Sequence, residues 1–220
     1  GYRMRAEKGS LTLNYYYMFY RDQLIPTGEL SNVGYPIMTN VGKSYRTGIE
    51  ISGGLKPFKL LEWSFNLTLS RNKIIDFVEY YTDYNTIDWS SEYKSKNLGT
   101  VDIAYSPSIT GSSDMAFNPV TGLKVHFISK YVGRQYFDNT MSRERMLSPY
   151  LINNLRIDFE PEIKAVRNTV VQLLVNNIFN AEYESNAYGG NWYEDGIEKT
   201  WAYYFPQAGV NYMVRLNIKF

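Results

Sequence analysis

The lone histidine is the residue of this chain best suited to catalysis or metal binding. It is His126, and the chain has no cysteine, which excludes disulfides, thiolate zinc sites and cysteine nucleophiles. A hydrolytic triad would place this histidine beside a nucleophile and a carboxylate. His126 instead lies in the middle of a segment that alternates polar and apolar residues. We therefore expect a structural residue on the polar face of a strand.

Carboxylates are concentrated in two long polar segments. They are Glu79, Asp83, Asp88 and Glu92 in the first, and Glu182, Glu184, Glu194, Asp195 and Glu198 in the second. Neither group has the D-x-[DN]-x-[DN]-G spacing of a calcium loop. The expectation is solvated loop charge without a metal site or a cofactor. Because no acid–base pair or nucleophile set converges anywhere in the sequence, an enzyme is not expected.

The same two segments are rich in aromatic residues, which make up 16% of the chain. Tyr and Trp combine a large apolar body with a polar tip, so an excess of them indicates interfaces or ligand-binding surfaces. As candidates for contacting a planar or amphipathic ligand we take Trp89, Tyr93, Tyr188, Trp192, Tyr193, Trp201, Tyr203 and Tyr204. The alternative is that these rings pack the segments against one another.

Charge and hydropathy exclude several other classes of protein. The net charge is +1, from 23 basic and 22 acidic residues, so nucleic acid is not an expected partner. No stretch approaches the length of an apolar membrane helix. Residues 1–10 lack the apolar region of a signal peptide. We expect either that the chain starts within a longer protein or that a leader has been removed.

Alternation with period two is the dominant pattern of the sequence. It is clear in "LTLNYYYMFY" (11–20), "LEWSFNLTLSRN" (61–72), "LKVHFISKYVGR" (123–134), "NLRIDFE" (154–160) and "GVNYMVRLNIKF" (209–220). Weaker strands are predicted near Tyr45–Leu55, Ser108–Phe117 and 169–179, with a truncated strand at the start. Glycines in the weaker strands suit bends and close packing. The total is about nine amphipathic strands.

The connections between these strands alternate in length. Short turns are predicted at 7–10, 56–60, 118–122 and 161–168, and long polar segments at 25–42, 78–106, 136–149 and 181–208. Short turns on one side and long loops on the other are typical of an outer-membrane barrel, whose strands of about ten residues cross the bilayer. A soluble β-sandwich would show the same alternation with its apolar face inward, and it stays as the alternative.

Four segments resemble the C-terminal barrel of TonB-dependent outer-membrane receptors. They are "NVGKSYRTGIE" (40–50), "KYVGRQYFDNT" (130–140), "VNNIFNAEYES" (175–185) and "YYFPQAGVNYMVRLNIKF" (203–220). The resemblance implies a transmembrane barrel of about 22 antiparallel strands filled by an N-terminal plug domain. It also implies import of a scarce nutrient, such as an iron chelate, haem or cobalamin, with energy passed through TonB.

The resemblance, together with a count of about nine strands, implies that residues 1–220 are the C-terminal portion of such a barrel. The plug domain and the N-terminal strands are expected elsewhere, because unpaired strand edges cost several kcal/mol per backbone group in lipid. The resemblance therefore implies several partners. They are the rest of the barrel, the plug, the TonB complex, the barrel assembly machinery, and outer-membrane lipid with lipopolysaccharide. A glycan or peptide importer that works with a surface lipoprotein, and a secreted all-β binding module, are the alternatives.

Four basic residues and the final strand are also predicted to have roles in the barrel. Lys130, Arg134, Arg156 and Arg215 are predicted to bring positive charge to the barrel lumen. Lys130 and Arg134, with Arg143 and Arg145 nearby, could attract an anionic chelate or contact lipopolysaccharide phosphate. The final strand resembles the signal that the assembly machinery recognises, with its alternate apolar residues Tyr212, Val214, Leu216, Ile218 and Phe220. Deletion of Phe220 is expected to impair membrane insertion rather than ligand affinity.

Overall fold

The computed structural model of the chain describes residues 1–161 and 167–219, and these residues form β-strands with a single short 3-10 turn, Arg143–Arg145. Long alternating runs rich in Tyr, Leu, Val and Ile give the strands their length. In chain order the strands are β1 (Tyr2–Ala6), β2 (Gly9–Leu30), β3 (Pro36–Phe58), β4 (Leu61–Tyr84), β5 (Ser91–Asp102), β6 (Ile109–Val120), β7 (Leu123–Val132), β8 (Gln135–Tyr136), β9 (Met146–Leu147), β10 (Tyr150–Phe159), β11 (Arg167–Asn176), β12 (Glu184–Glu194), β13 (Ile197–Pro206) and β14 (Asn211–Lys219).

Nine of these strands follow one another across a single antiparallel sheet. The order is β1-β2-β3-β4-β6-β7-β10-β11-β14, which confirms the predicted set of about nine amphipathic strands. Strands β5, β12 and β13 belong to the same sheet but lie off this path. β5 pairs with the second half of β4, and β12 pairs with β13 and, in parallel, with the end of β4. Within the described residues, the sheet is open, with β1 and β14 at its two edges.

The sheet has one apolar and one polar face along its length. In the register, Leu13 lies opposite Ile51, which lies opposite Leu67. The alternate residues Asn14 and Glu50 are paired on the other face, where their side chains hydrogen bond at 3.1 Å. Because successive side chains of a strand point to opposite faces, the alternation in the sequence becomes two chemically distinct surfaces.

The two ends of the sheet differ as the sequence predicts. At one end, tight turns of two residues join β1 to β2, β3 to β4 and β6 to β7. The last of these uses Gly122, whose φ of +79° suits a residue without a Cβ. The fourth predicted short turn falls largely on residues 162–166, outside the described residues. We call this end the turn end and the opposite end the loop end.

The long polar segments at the loop end are mostly not irregular loops. Residues 25–42 continue β2 and β3, residues 78–102 continue β4 and form β5, and residues 184–206 form the β12–β13 hairpin. Backbone hydrogen bonds within these hairpins satisfy polar groups that a free loop would leave to water. Only the 136–149 connection stays largely irregular, with the two-residue strands β8 and β9 pairing inside it.

Two small apolar clusters hold the loop end together. The first contains Ile25, Val41, Ile74, Val101 and Ile103, all nearly inaccessible to solvent. The second contains Phe137, Leu147 and Ala187, and so joins the 136–149 connection to β12. Asn139 links the two regions, because it donates to the carbonyl of Pro26 and accepts from the amide of Ala104, both at 2.8 Å.

Glycines in the weaker strands sit where rings approach the backbone. A Cβ on Gly48 would lie 2.7 Å from the Tyr16 hydroxyl oxygen, and a Cβ on Gly53 would lie 2.7 Å from Cζ of Phe65. Both rings belong to neighbouring strands in the sheet. The expectation of close packing at these glycines is therefore confirmed, since a larger residue would displace an aromatic ring.

Candidate functional site

An aromatic face on the β12–β13 hairpin is the strongest candidate for a ligand-binding surface. It consists of Tyr188, Trp201, Tyr203 and Phe205. The Tyr188 ring centroid lies 5.6 Å from that of Trp201, 5.4 Å from that of Tyr203 and 5.7 Å from that of Phe205. Alternation along the paired strands places these rings on one side of the hairpin. Tyr203 is 60% exposed, so the cluster is not a closed core.

The structure brings together only some of the aromatic candidates from the sequence. Tyr193 and Tyr204 point to the opposite side of the hairpin, where Tyr193 is buried against Tyr81 at a centroid distance of 3.9 Å. Trp192 donates its indole N–H to Glu194 at 2.9 Å. Phe205 was missed by the sequence analysis, although its alternation with Trp201 and Tyr203 is the signal that would have found it.

Trp89 and Tyr93 lie on a different hairpin. Trp89 is exposed in the turn between β4 and β5, with a φ of +57°. Tyr93 stacks on Tyr80 across the two strands, with ring centroids 5.8 Å apart. The aromatic candidates from the sequence therefore lie on two different hairpins.

A buried arginine anchors the aromatic hairpin to the rest of the loop end. Arg145 is 2% exposed, and its Nη2 lies 2.8 Å from Glu198 Oε1 on β13. Its Nε lies 3.0 Å from Asp138 Oδ2, and its Nη2 lies 4.0 Å from Glu79 Oε1 on β4. Asn191 of β12 donates to both Glu79 and Glu198. We call Arg145, Glu79, Asp138, Glu198 and Asn191 the Arg145 cluster.

This cluster changes two expectations from the sequence. Glu79 is 8% exposed, so it is not solvated loop charge. Arg145 faces three carboxylates, so it is not available to an anionic ligand, whereas Arg143 in the same turn is exposed. Asp83 also differs from the expectation, because it is buried and accepts from Lys94 at 2.8 Å and from the amide of Gly196 at 3.0 Å.

Raising the pH is expected to loosen the Arg145 cluster. Burial raises the pKa of Glu79 and that of Asp138 above their ordinary values, against the opposing effect of Arg145. A raised pKa means that the folded form retains protons which the unfolded form has lost. Stability is therefore greatest below the ordinary carboxyl pKa and falls as the pH rises through the raised pKa values.

Limited proteolysis of the β12–β13 hairpin between about pH 4 and pH 8 measures this effect. Cleavage should increase with pH, and Glu79→Gln should flatten the dependence because it removes one buried carboxyl while keeping an acceptor for Asn191. Protection that grows with pH in the unaltered protein would contradict the assignment.

A continuous polar ladder crosses the opposite half of the sheet near the turn end. His126 Nδ1 lies 2.8 Å from Asp114 Oδ1, and Nη2 of Arg156 lies 2.8 Å from His126 Nε2. Arg156 also approaches Asp158, which accepts from Gln172 at 2.6 Å. The imidazole therefore lies between a carboxylate and a guanidinium, within hydrogen-bonding distance of both. His126 is thus a structural residue of the polar face, as the sequence predicts.

The remaining basic candidates relate to this ladder in different ways. Arg215 lies directly opposite Gln172 and extends the ladder to β14. Lys130 is exposed on the polar face of β7, which it shares with His126. Arg134 lies in the connection between β7 and β8, so strand alternation does not determine on which face of the sheet its side chain lies. The role of all four in a lumen stays a prediction.

Strand β14 carries the predicted assembly signal. Tyr212, Val214 and Leu216 are exposed on its apolar face, opposite Val175, Leu173 and Val171 of β11. Ile218 continues this face, whereas Phe220 lies outside the described residues. The strand therefore has the expected amphipathic form, and its recognition by the assembly machinery stays a prediction.

Residues 1–161 and 167–219 contain no group of three or more side chains that could hold a metal ion. The same residues include no helix with the length and hydropathy needed to cross a membrane. A cavity of about 330 Å³ lies between the loop-end portions of β3 and β4 and is lined by Val41, Ile74, Glu79, Asn139 and Thr140, among others. Its size is near the lower limit for a ligand pocket.

Solved structures with the same architecture are outer-membrane receptors. The ferric yersiniabactin uptake receptor FyuA from Yersinia pestis aligns with 99% of this chain at a TM-score of 0.64 and 16% identity. The siderophore receptor PiuA from Acinetobacter baumannii aligns with 97% at 0.64 and 12% identity. The FrpB iron transporter from Neisseria meningitidis aligns with 97% at 0.56 and 16% identity.

At these identities the likeness shows a shared fold. The chain spans 28%, 26% and 29% of the three receptors, in the same order. No curated protein sequence matches the chain.

A family model provides the assignment that low identity leaves open. The model described as "TonB dependent receptor-like, beta-barrel" matches residues 1–178, and thus extends from β1 through β11. Proteins of this family are outer-membrane transporters rather than enzymes, in agreement with the lack of a catalytic arrangement expected from the sequence. The chain therefore belongs to the TonB-dependent receptor β-barrel family.

Proposed function

We propose that this chain is part of an outer-membrane active transporter that captures an iron chelate and imports it with energy passed through TonB. Family membership supports nutrient import in general. The three similar structures are named for ferric yersiniabactin uptake, a siderophore and iron, which favours an iron chelate over haem or cobalamin. The observation that carries the proposal is the exposed aromatic face at the loop end.

The aromatic face provides the first contact with the ligand. Planar or amphipathic chelates bury apolar area against Tyr and Trp while the polar tips of these side chains stay hydrated. The Arg145 cluster holds the hairpin in one position, which lowers the entropy cost of capture because the rings are already placed. After capture, the ligand passes along the polar face of the sheet, which lines the lumen, when the plug domain moves.

Transport requires partners outside residues 1–220. The rest of the barrel pairs with the edges at β1 and β14, since open strand edges are not tolerated in lipid. The plug domain fills the lumen and connects to the TonB complex, and the barrel assembly machinery inserts the protein through β14. A glycan or peptide importer with a surface lipoprotein is the alternative within this class.

Trp201→Ala is expected to weaken ligand binding by roughly 30-fold, because truncation of a central aromatic contact costs about 2 kcal/mol. The measurement is the Kd of the full-length receptor for a panel of probes: a ferric catecholate, a ferric hydroxamate, haemin and cyanocobalamin. Trp89→Ala is the matched control, since it removes an exposed tryptophan from the separate β4–β5 hairpin.

The panel also separates the two candidate functions. Tight binding of a ferric chelate that weakens only in Trp201→Ala supports the proposal. An unchanged Kd in Trp201→Ala would mean that the aromatic face does not contact the ligand. Failure to bind any of the four probes, together with binding of an oligosaccharide or peptide, would favour the lipoprotein-dependent alternative.

A further inference from the structure

Four basic residues form a patch on the apolar side of the sheet, where charge is unexpected. In the register, Arg21 of β2 lies directly opposite Lys43 of β3. On β4, Arg71 lies opposite Thr47, and Lys73 lies opposite Tyr45. Arg21 and Lys43 are therefore a directly opposed pair, and Lys73 and Arg71 lie two and four residues further along the same face on the next strand. We call Arg21, Lys43, Arg71 and Lys73 the basic patch.

Contacts around the basic patch show which face it occupies. The hydroxyls of Thr47 and Tyr15 hydrogen bond at 3.3 Å, and the rings of Tyr17 and Tyr45 stack at 6.1 Å. Because every second residue of a strand points to the same face, Tyr15, Tyr17, Phe19 and Arg21 of β2 all lie on this face. The basic patch therefore continues the tyrosine-rich apolar face and lies on the outside of the barrel wall.

Three of the four charges lack a partner within the described part of the chain. Lys73 pairs with Asp102 at 2.8 Å. Arg21, Lys43 and Arg71 are exposed, and no described residue makes an ion pair with any of them. Like charges directly opposite each other on antiparallel strands are destabilising. A phosphate group between Arg21 and Lys43 would convert this repulsion into two charge-assisted contacts.

The position of the patch along the strand matches a membrane interface. From Leu11, the first outward apolar residue of β2, to Arg21 is a run of ten residues, or about 33 Å along the strand. A tilt of about 45° reduces this to about 23 Å of depth, close to the apolar band of about 25 Å in such barrels. Tyr45 lies opposite Phe19, two residues before Arg21, and Tyr17 lies four residues before it, on the membrane side of the patch, as members of an interfacial aromatic girdle do.

We propose that the basic patch binds the phosphate groups of a phosphorylated saccharide lipid, lipopolysaccharide, in the outer leaflet. At this depth and on this face the available anions are lipid headgroups, whereas a soluble chelate approaches from the loop end. Binding here anchors the barrel wall beside the β2–β3 hairpin. The inference rests on the outer-membrane placement of the chain and is independent of which nutrient is imported.

The test compares two charge-matched double variants of the full-length receptor. Arg21→Gln/Lys43→Gln removes the opposed pair, and Lys8→Gln/Lys59→Gln removes two exposed lysines from turns at the turn end. Each receptor is titrated with vesicles that contain lipopolysaccharide, and heat-dependent gel migration confirms folding. We expect roughly 30-fold weaker binding in the first variant, because each interfacial cation contributes about a fivefold factor. The second variant should stay within about twofold.

A second arm changes the lipid instead of the protein, so the test does not depend on the variant folding. Vesicles with enzymatically dephosphorylated lipopolysaccharide should bind the unaltered receptor as weakly as the first variant binds the intact lipid. Equal binding of phosphorylated and dephosphorylated lipid, or equal binding by both double variants, would overturn the proposal. Displacement of the lipid by millimolar inorganic phosphate would also overturn it, since the site would then prefer a free anion.

Discussion

Arg145→Met is expected to release the β12–β13 hairpin from the loop end at a cost of roughly 3–5 kcal/mol, the usual penalty for breaking a buried ion pair by removing one partner. Arg145 is the cation of its cluster, and it holds residues from three separate segments. Methionine fills similar space but leaves Asp138 and Glu79, which are 4% and 8% exposed, with an uncompensated charge. The hairpin then separates so that water can reach these carboxylates.

Hydrogen exchange of the hairpin amides in the full-length receptor measures this release. Arg143→Met is the matched control, because Arg143 belongs to the same short turn and is exposed. Exchange should accelerate in β12 and β13 of the first variant only, while β6, β7 and β10 keep their protection. Uniform acceleration across these strands would mean that Arg145 supports the sheet rather than the hairpin. No acceleration in either variant would contradict the anchoring role.

Leu67→Arg is expected to destabilise the inserted barrel by roughly 2–4 kcal/mol, the cost of an arginine on the lipid face near the bilayer midplane. Leu67 lies in the outward apolar run of β4, with Ile51 and Gly111 opposite it on the neighbouring strands. Thr68→Arg is the matched control, because the next residue points to the polar face. It lies opposite Glu50, so a new arginine there gains an opposite charge.

Unfolding of the full-length receptor from lipid vesicles by denaturant provides the comparison. Thr68→Arg should change the free energy of unfolding by no more than about 1 kcal/mol, as lumen-facing substitutions do. Similar losses in the two variants would contradict the assignment of faces. A larger loss of unfolding free energy in Thr68→Arg than in Leu67→Arg would mean that the two faces are assigned the wrong way round.

The strands of the sheet were predictable because their signal is local. Alternation in segments such as residues 61–72 and 123–134 arises because the two faces of the sheet meet different environments, and it can be read from each strand without knowing its partners. The short turn at 118–122 contains Gly122, and the ability of glycine to adopt its positive φ is also a local property. Strand number and the two faces therefore follow from the sequence without knowledge of long-range contacts.

The structure of the loop end depends on contacts that sequence patterns do not show. The partners Arg145 and Glu198 are 53 residues apart, and Asn191 and Glu79 are 112 residues apart. Nothing in the neighbourhood of Glu79 distinguishes it from the exposed Glu92. Burial of Glu79 results from the β12–β13 hairpin that folds over it, and the local sequence alone therefore predicts solvated charge.

The aromatic candidates were predictable as a set but not as a surface. Composition singles out Tyr188, Trp201 and Tyr203 together with Tyr193 and Tyr204. Which rings are exposed depends on the register of β12 against β13 and on the side that packs against Phe137 and Leu147. Since a shift of one residue would exchange the two sides, only the paired structure separates binding candidates from core residues.

Spin labels on adjacent positions of β4 test the central claim most directly, which is that one face of this sheet meets lipid and the other meets water. Because residues 1–220 contain no cysteine, single cysteines at Leu67 and Thr68 can be labelled within this segment of the inserted receptor. We predict that the label at Leu67 is accessible to oxygen dissolved in the bilayer and that the label at Thr68 is accessible to a water-soluble nickel complex. Protection of Leu67 from both agents, as in a soluble β-sandwich core, would contradict the account.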